Sequence, residues 1–154
     1  MHAAQVMNLG ELIAQSARLF PQRPGLIQGE QSWSWRQLDD RINAMARALT
    51  ALGIKQGDRI LTQSRNNLQM FEICWVAFKM GCVWVPTNFR LTPPEVSYLG
   101  ASSGATCMVY EEDFAGHVDA VREAHPGLEH VVCIGTPRPG EHAYEVMVSQ
   151  HLGE

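Results

Sequence analysis

Few residues in this 154-residue sequence have both the type and the placement to do chemistry, and the two best placed are Asn88 and Arg90. They follow residues 82–85, a short apolar run of the kind found in a strand covered on both faces. Pro86 then stops the ladder, because it has no N–H to donate. Residues 87–90 are therefore the loop that leaves the strand's carboxyl end, where open α/β sheets bind their ligands. A guanidinium there suits a phosphate, since it donates two parallel hydrogen bonds. The plainer role for Arg90 is a surface ion pair with Glu95 or a helix-end contact, both common and weak.

Other reactive side chains form no constellation. The triplet Glu111, Glu112, Asp113 suggests a cation site, but three consecutive acids cannot all face one ion, and acids also suit a helix N-terminus. The six histidines form no i, i+4 ligand pair. Cys74, Cys82, Cys107 and Cys133 lack metal or redox spacing and read as buried free thiols of a reducing cytosol. Trp33 and Trp35 are either a stacking platform or core filler. Neither GxGxxG nor GxxxxGK[ST] is present, nor GxSxG, nor HExxH. Gly100 and Gly104 frame two serines after a helix and before a strand, the reverse of a phosphate loop, and read as a helix C-terminal turn.

The net charge of -4 leaves no basic footprint for nucleic acid or an anionic membrane. The start lacks the basic and apolar regions of a signal peptide, and the longest apolar run, residues 73–78, is far too short to span a bilayer.

The elements that would position these residues follow in order. Asn8 and Glu11 can cap a first helix that turns Leu9, Leu12, Ile13 and Phe20 to the core. Residues 25–35 read as a hairpin turning at Gly29-Glu30, with Trp33 and Trp35 on one face of its second strand. Ser34 and Gln37 make a capping box before a helix whose stripe is Leu38, Ile42, Met45, Leu49 and Leu52. A strand at 59–63 precedes a helix at 68–80 that is apolar almost all round, with Asn66 and Gln69 as its cap pair. Gly81 suits the left-handed stop of that helix, and Thr92, Pro93 and Glu95 open the next one. Strands at 106–110 and 131–134 enclose a helix at 114–124. The alternation predicts an α/β domain with a mostly parallel sheet and helices on both faces, over residues 1–134. Residues 135–154 read as a linker-like segment and a C-terminal helix.

Five stretches, in order, resemble the N-terminal part of the adenylate-forming superfamily of acyl-CoA synthetases and luciferases. Ser32-Trp-Ser-Trp-Arg-Gln-Leu38 resembles its LTYxEL motif, with Trp35 for Tyr and Gln37 for Glu. Residues 53–60 are similar to GVxxGDRV, and Asn66-Asn67 with the helix behind them to the NSxE helix. Residues 78–86 resemble LKAGAxYVP, and Asn88-Phe-Arg-Leu-Thr-Pro-Pro-Glu95 resembles the NPRLTPEE continuation of CoA ligases. The resemblance implies a subdomain covering the first third or so of a cytoplasmic fatty-acid CoA ligase, cut before its catalytic residues. It implies ATP, Mg²⁺ and CoA as the parent's cofactors, a carboxylic acid substrate and the remaining subdomains as partners. The matching Arg lies near the CoA-binding face, which makes Arg90 the candidate phosphate contact and Asn88 a weaker one. The chain alone is expected to have no catalytic residue, metal or cofactor, and to self-associate through surface the parent covers. The alternative from the residues alone is a stand-alone flavodoxin-like binding or interaction module.

Overall fold

The computed structural model describes residues 8–154, so the reading of the extreme N-terminus as no leader lies outside the described residues. The first helix, α1 (Glu11–Leu19), begins differently from the expected cap. Asn8 Oδ1 accepts the Gly10 N–H at 2.8 Å and its Nδ2 donates to the Lys79 carbonyl at 3.2 Å, so Asn8 fastens the helix entry to a neighbouring helix. Of the four residues expected to face the core only Ile13 is buried; Leu9, Leu12 and Phe20 remain about half exposed.

The hairpin pairs β1 (Pro24–Gln28) with β2 (Gln31–Ser34), and Gly29 takes the positive φ of 59° that its turn position requires. Trp35 lies in the first turn of α2 (Trp35–Ala51) rather than in the strand. Both tryptophans are half-buried against the core, as filler would be. The capping box forms: Gln37 N donates to Ser34 Oγ, and Ser34 N to the Gln37 side chain.

Next come β3 (Arg59–Gln63) and α3 (Leu68–Met80). The cap of α3 is Asn67, whose Oδ1 accepts from Met70 N at 2.8 Å; Asn66 is exposed and Gln69 binds Glu145 instead. Gly81 ends the helix at φ 68°. Strand β4 (Val83–Pro86) follows, then α4 (Pro93–Ser103), where the Glu95 carboxylate accepts both the N–H and the hydroxyl of Thr92. Strand β5 (Cys107–Glu111), a 3-10 turn, α5 (Ala115–Ala124), β6 (His130–Ile134), β7 (His142–Ala143) and α6 (Tyr144–His151) complete the chain.

All four pairings in the main sheet are parallel, in the order β4-β3-β5-β6-β7. Strand β4 is therefore an edge strand rather than an inner one, and Val83 is 49% exposed, while Trp84 and Val85 pack against the cores on the two faces. An apolar run alone does not distinguish the two positions. Alternate residues of the inner strands face opposite cores. Ile60, Cys107, Val109 and Val132 face α2, α3 and α6; Leu61, Met108, Tyr110 and Cys133 face α4 and α5.

Residues 135–154 are tied into this unit more closely than their composition suggests. Glu112 accepts the Thr136 N–H at 2.7 Å, and Glu141 binds Arg138 at 2.8 Å and the Tyr110 hydroxyl at 2.6 Å. Strand β7 extends the sheet, and Tyr144, Met147 and Val148 of α6 are buried against the α2 side.

Arg41 holds α2, α3 and α6 together. Its guanidinium forks onto both the wholly buried Glu72 and Glu145, and Tyr144 donates to Glu72 at 3.1 Å. Burial pushes the Glu72 carboxyl above its ordinary value despite Arg41. Glu145 also feels burial, but Arg41 and Gln69 outweigh it and hold its carboxyl below the ordinary 4.5.

Arg41→Met would leave the buried Glu72 carboxyl with Tyr144 alone and should cost roughly 3–5 kcal/mol, read as the shift of the denaturation midpoint. The two acids respond oppositely to pH. The Glu145 contribution is complete above the ordinary 4.5 and disappears as pH falls through its lower folded value. The Glu72 contribution is complete at low pH and is lost as pH rises through its raised folded value. Acidification below 4.5 should thus loosen α6 first, seen as faster amide exchange at residues 144–151 before the sheet amides respond.

Candidate functional site

The carboxyl ends of β3, β4 and β5 gather at one end of the sheet, and β3 arrives there with three buried polar residues, Thr62, Gln63 and Ser64. Each has a partner. The Thr87 hydroxyl donates to the Thr62 carbonyl at 2.8 Å and lies against the Gln63 side-chain oxygen, while Gln63 Nε2 reaches the Phe89 carbonyl at 3.5 Å. Trp84 Nε1 donates to Thr62 Oγ1 at 3.2 Å. Ser64 accepts from Asn67 Nδ2 at 2.9 Å, which joins the loop after β3 to the cap of α3. The sequence hint for this network was the polar run 62–64 at the end of an otherwise apolar strand.

That network holds the loop of Asn88 and Arg90. Asn88 Oδ1 accepts the Arg90 N–H at 3.0 Å and its carbonyl accepts the Leu91 N–H at 3.0 Å, a local turn of the kind asparagine favours. Asn88 thus shapes the loop. Arg90 projects from it, exposed, its guanidinium 5.2 Å from the centre of the Phe89 ring. The ion pair with Glu95 does not form, because Glu95 is held by Thr92. Those two hydrogen bonds, the backbone one first, keep the Glu95 carboxyl below its ordinary value.

The acidic triplet is spent on structure. Glu111 and Asp113 both bind the Arg65 guanidinium, at 2.8 and 2.9 Å, and Glu112 takes the Thr136 N–H. Among the described residues no group of three His, Cys, Asp or Glu side chains is arranged to hold a metal. The thiols are not poised as nucleophiles: burial pushes Cys107 up to about 12 and raises Cys74, Cys82 and Cys133 as well. His117 and His125 bind the Leu91 and Ala105 carbonyls at 2.8 and 2.9 Å.

A second feature lies along the almost wholly apolar α3. An open apolar groove of about 510 Å³ runs between the hairpin, α3 and β4, lined by Leu26, Met70, Phe71, Cys74, Trp75 and Trp84. Gln28 and Asn66 also line it.

The model of the AMP-binding enzyme family matches residues 13–150. The chain belongs to that family. A fatty acid–[acyl-carrier-protein] ligase, ScoC of Streptomyces coeruleorubidus, is 31% identical over 88% of this chain and 26% of its own length. The long-chain-fatty-acid–CoA ligase FadD13 of Mycobacterium tuberculosis is 32% identical over 75% of this chain and 23% of its own. The crystal structure of the anthranilate CoA ligase AuaEII with anthranoyl-AMP superposes with a TM-score of 0.89, at 20% identity, over 97% of this chain and 28% of that one. At that identity the superposition establishes the fold. The chain thus spans about a quarter of these family members, somewhat less than the third read from the motifs.

Gln63 supports the loop end of the sheet, so Gln63→Leu should loosen it locally. We expect a loss of about 1–2 kcal/mol, with faster amide exchange at residues 88–91 and little change at 107–111. A uniform rise across the sheet would place the role of Gln63 in the core instead.

Proposed function

We propose that this chain is the amino-terminal scaffold of an AMP-forming acyl-CoA ligase that acts on fatty acids. The observation that carries the proposal is the family match over residues 13–150, together with relatives at 31–32% identity that are both fatty acid ligases by name. Such an enzyme joins a carboxylic acid to the α-phosphate of Mg-ATP, releasing pyrophosphate and leaving an acyl-adenylate, and then passes the acyl group to a thiol, releasing AMP. The two relatives differ in the thiol carrier their names give. We favour CoA because Asn88 to Glu95 resembles the CoA ligase continuation and because Arg90 is exposed and suits a phosphate.

The residues of this chain fit the groups of that reaction unequally. Arg90 can hold a phosphate of CoA, and Asn88 holds the loop that presents it. No acidic cluster here fits Mg²⁺ among the described residues. ATP contacts, catalytic residues and the acid-binding pocket are assigned to the other subdomains of the ligase, the partners of this one, as the resemblance to the first part of such enzymes implies. We assign the enzyme to the cytoplasm, in keeping with four free thiols and no helix among the described residues long and apolar enough to cross a membrane.

Two measurements test this reading. The 154-residue chain alone should give ATP–pyrophosphate exchange at background with a panel of carboxylic acids, and exchange above background would refute a purely supporting role. In a ligase that carries this sequence, Arg90→Ala should raise the KM for CoA by about tenfold, the loss of one charge-assisted contact, with adenylate formation unchanged. Equal losses in both half-reactions would make Arg90 structural.

A further inference from the structure

Arg90 sits between two carbonyls that have no backbone partner. Among the described residues neither the Phe89 nor the Leu91 carbonyl accepts a backbone N–H. Each is met instead by a side chain from a different element. Gln63 Nε2, at the end of β3, reaches the Phe89 carbonyl at 3.5 Å, and His117 Nε2, in the first turn of α5, lies 2.8 Å from the Leu91 carbonyl. A carbonyl can only accept, so His117 Nε2 carries a proton and donates it to the bond.

The shorter of these contacts is also the better braced. The His117 ring stands edge-on to Phe114, their centroids 5.2 Å apart and their planes at 84°. Phe114 is buried, and over its ring lies the Arg65 guanidinium, itself paired with Glu111 and Asp113. Val118, the next residue of α5, is wholly buried between that helix and the sheet. The imidazole therefore projects from a fixed root.

The remaining bonds of the loop divide into two kinds. Asn88 takes the Arg90 N–H on its side chain and the Leu91 N–H on its carbonyl; these local bonds shape the turn without fixing where it sits. Thr87 and Gln63 fix its start to β3, and His117 fixes its end to α5 from 26 residues away. The Arg90 guanidinium, by contrast, has no hydrogen-bond partner among the described residues and lies over the Phe89 ring.

We infer that His117 is a positioning residue for CoA: by holding the Leu91 carbonyl it sets where the Arg90 guanidinium meets a phosphate. The inference rests on the ligase reading for its ligand. A two-pronged guanidinium contact depends on direction as well as distance. A loop already held in the bound geometry also avoids the cost of ordering on binding.

A double-mutant cycle tests it in a ligase that carries this sequence, with the Kd for CoA measured by calorimetry. His117→Ala should weaken CoA binding by about fivefold, and His117→Gln, whose Nε2 can take the same place, should restore most of the loss. In an Arg90→Ala background His117→Ala should add nothing, because the group it positions is gone. The amides of residues 90 and 91 should exchange faster in His117→Ala, while those of 107–111 stay as they were. Unchanged exchange at 90 and 91 would overturn the positioning role. So would an unchanged Kd in His117→Ala, or full additivity of the two substitutions, since His117 would then not act through Arg90. Normal CoA binding in Arg90→Ala alone would overturn the phosphate reading of Arg90 and the inference with it, and that single variant tells this failure from the others.

Discussion

A parallel sheet holds together only when both of its faces are covered, and that constraint organises this chain. Each inner strand divides its residues between two cores: Ile60 faces one and Leu61 the other, and Cys107 and Met108 repeat the division. The helices follow from it. α2, α3 and α6 cover one face, and α4 and α5 the other. Because every strand runs the same way, the loops after β3, β4 and β5 converge at one end. Residues as distant in sequence as Arg65, Thr87 and Glu111 come within reach of each other's loops for that reason.

Apolar packing seats the helices without fixing their position along the sheet, and the Arg41 network supplies that. Taking Arg41 and Glu72 out of water costs more than most ion pairs return. The network therefore acts more as a locator than as a source of stability. α6 satisfies Arg41 through Glu145 and Glu72 through Tyr144, two adjacent residues at the helix start. A slip by one residue would leave a buried carboxylate or hydroxyl unpaired. Glu72 is the one charged residue between Leu68 and Phe78 of α3, and that solitary charge is the signal by which the network could have been found.

Most of the fold was legible because its elements are written in local chemistry. β3 and α3 fall where the apolar patterns and punctuation place them, and Ser34–Gln37 and Gly81 act as read. What failed to show was relational. β4 reads like an inner strand because an apolar run does not record which neighbours it has. The 136–140 stretch reads like a linker because proline and glycine are visible, whereas the hydrogen bonds that Glu112 and Glu141 make to it come from the fold. Asn67 took the cap expected of Asn66 since adjacent asparagines are chemically alike and only backbone geometry separates them. At the candidate site the loop of Asn88 and Arg90 was legible from Pro86 onward. Its support by Gln63 and Thr87 was not, as the partners lie more than twenty residues apart.

The same end of the sheet is rich in polar side chains that hold one another in place. Gln63, Ser64, Glu111, Glu112 and Asp113 are polar or charged and sit where ligands bind in such folds, but each is engaged with another part of the chain. Engaged groups hold loops in place; they are not free to bind a substrate. Asn88 is occupied in the same way by the backbone of its own loop. Arg90 stands apart, its charge offered outward over an aromatic ring rather than paired with Glu95. Fold and function are separable in general. Here the separation lies within one end of one sheet, where a rigid polar network keeps its own residues occupied and so fixes the direction in which a single guanidinium points.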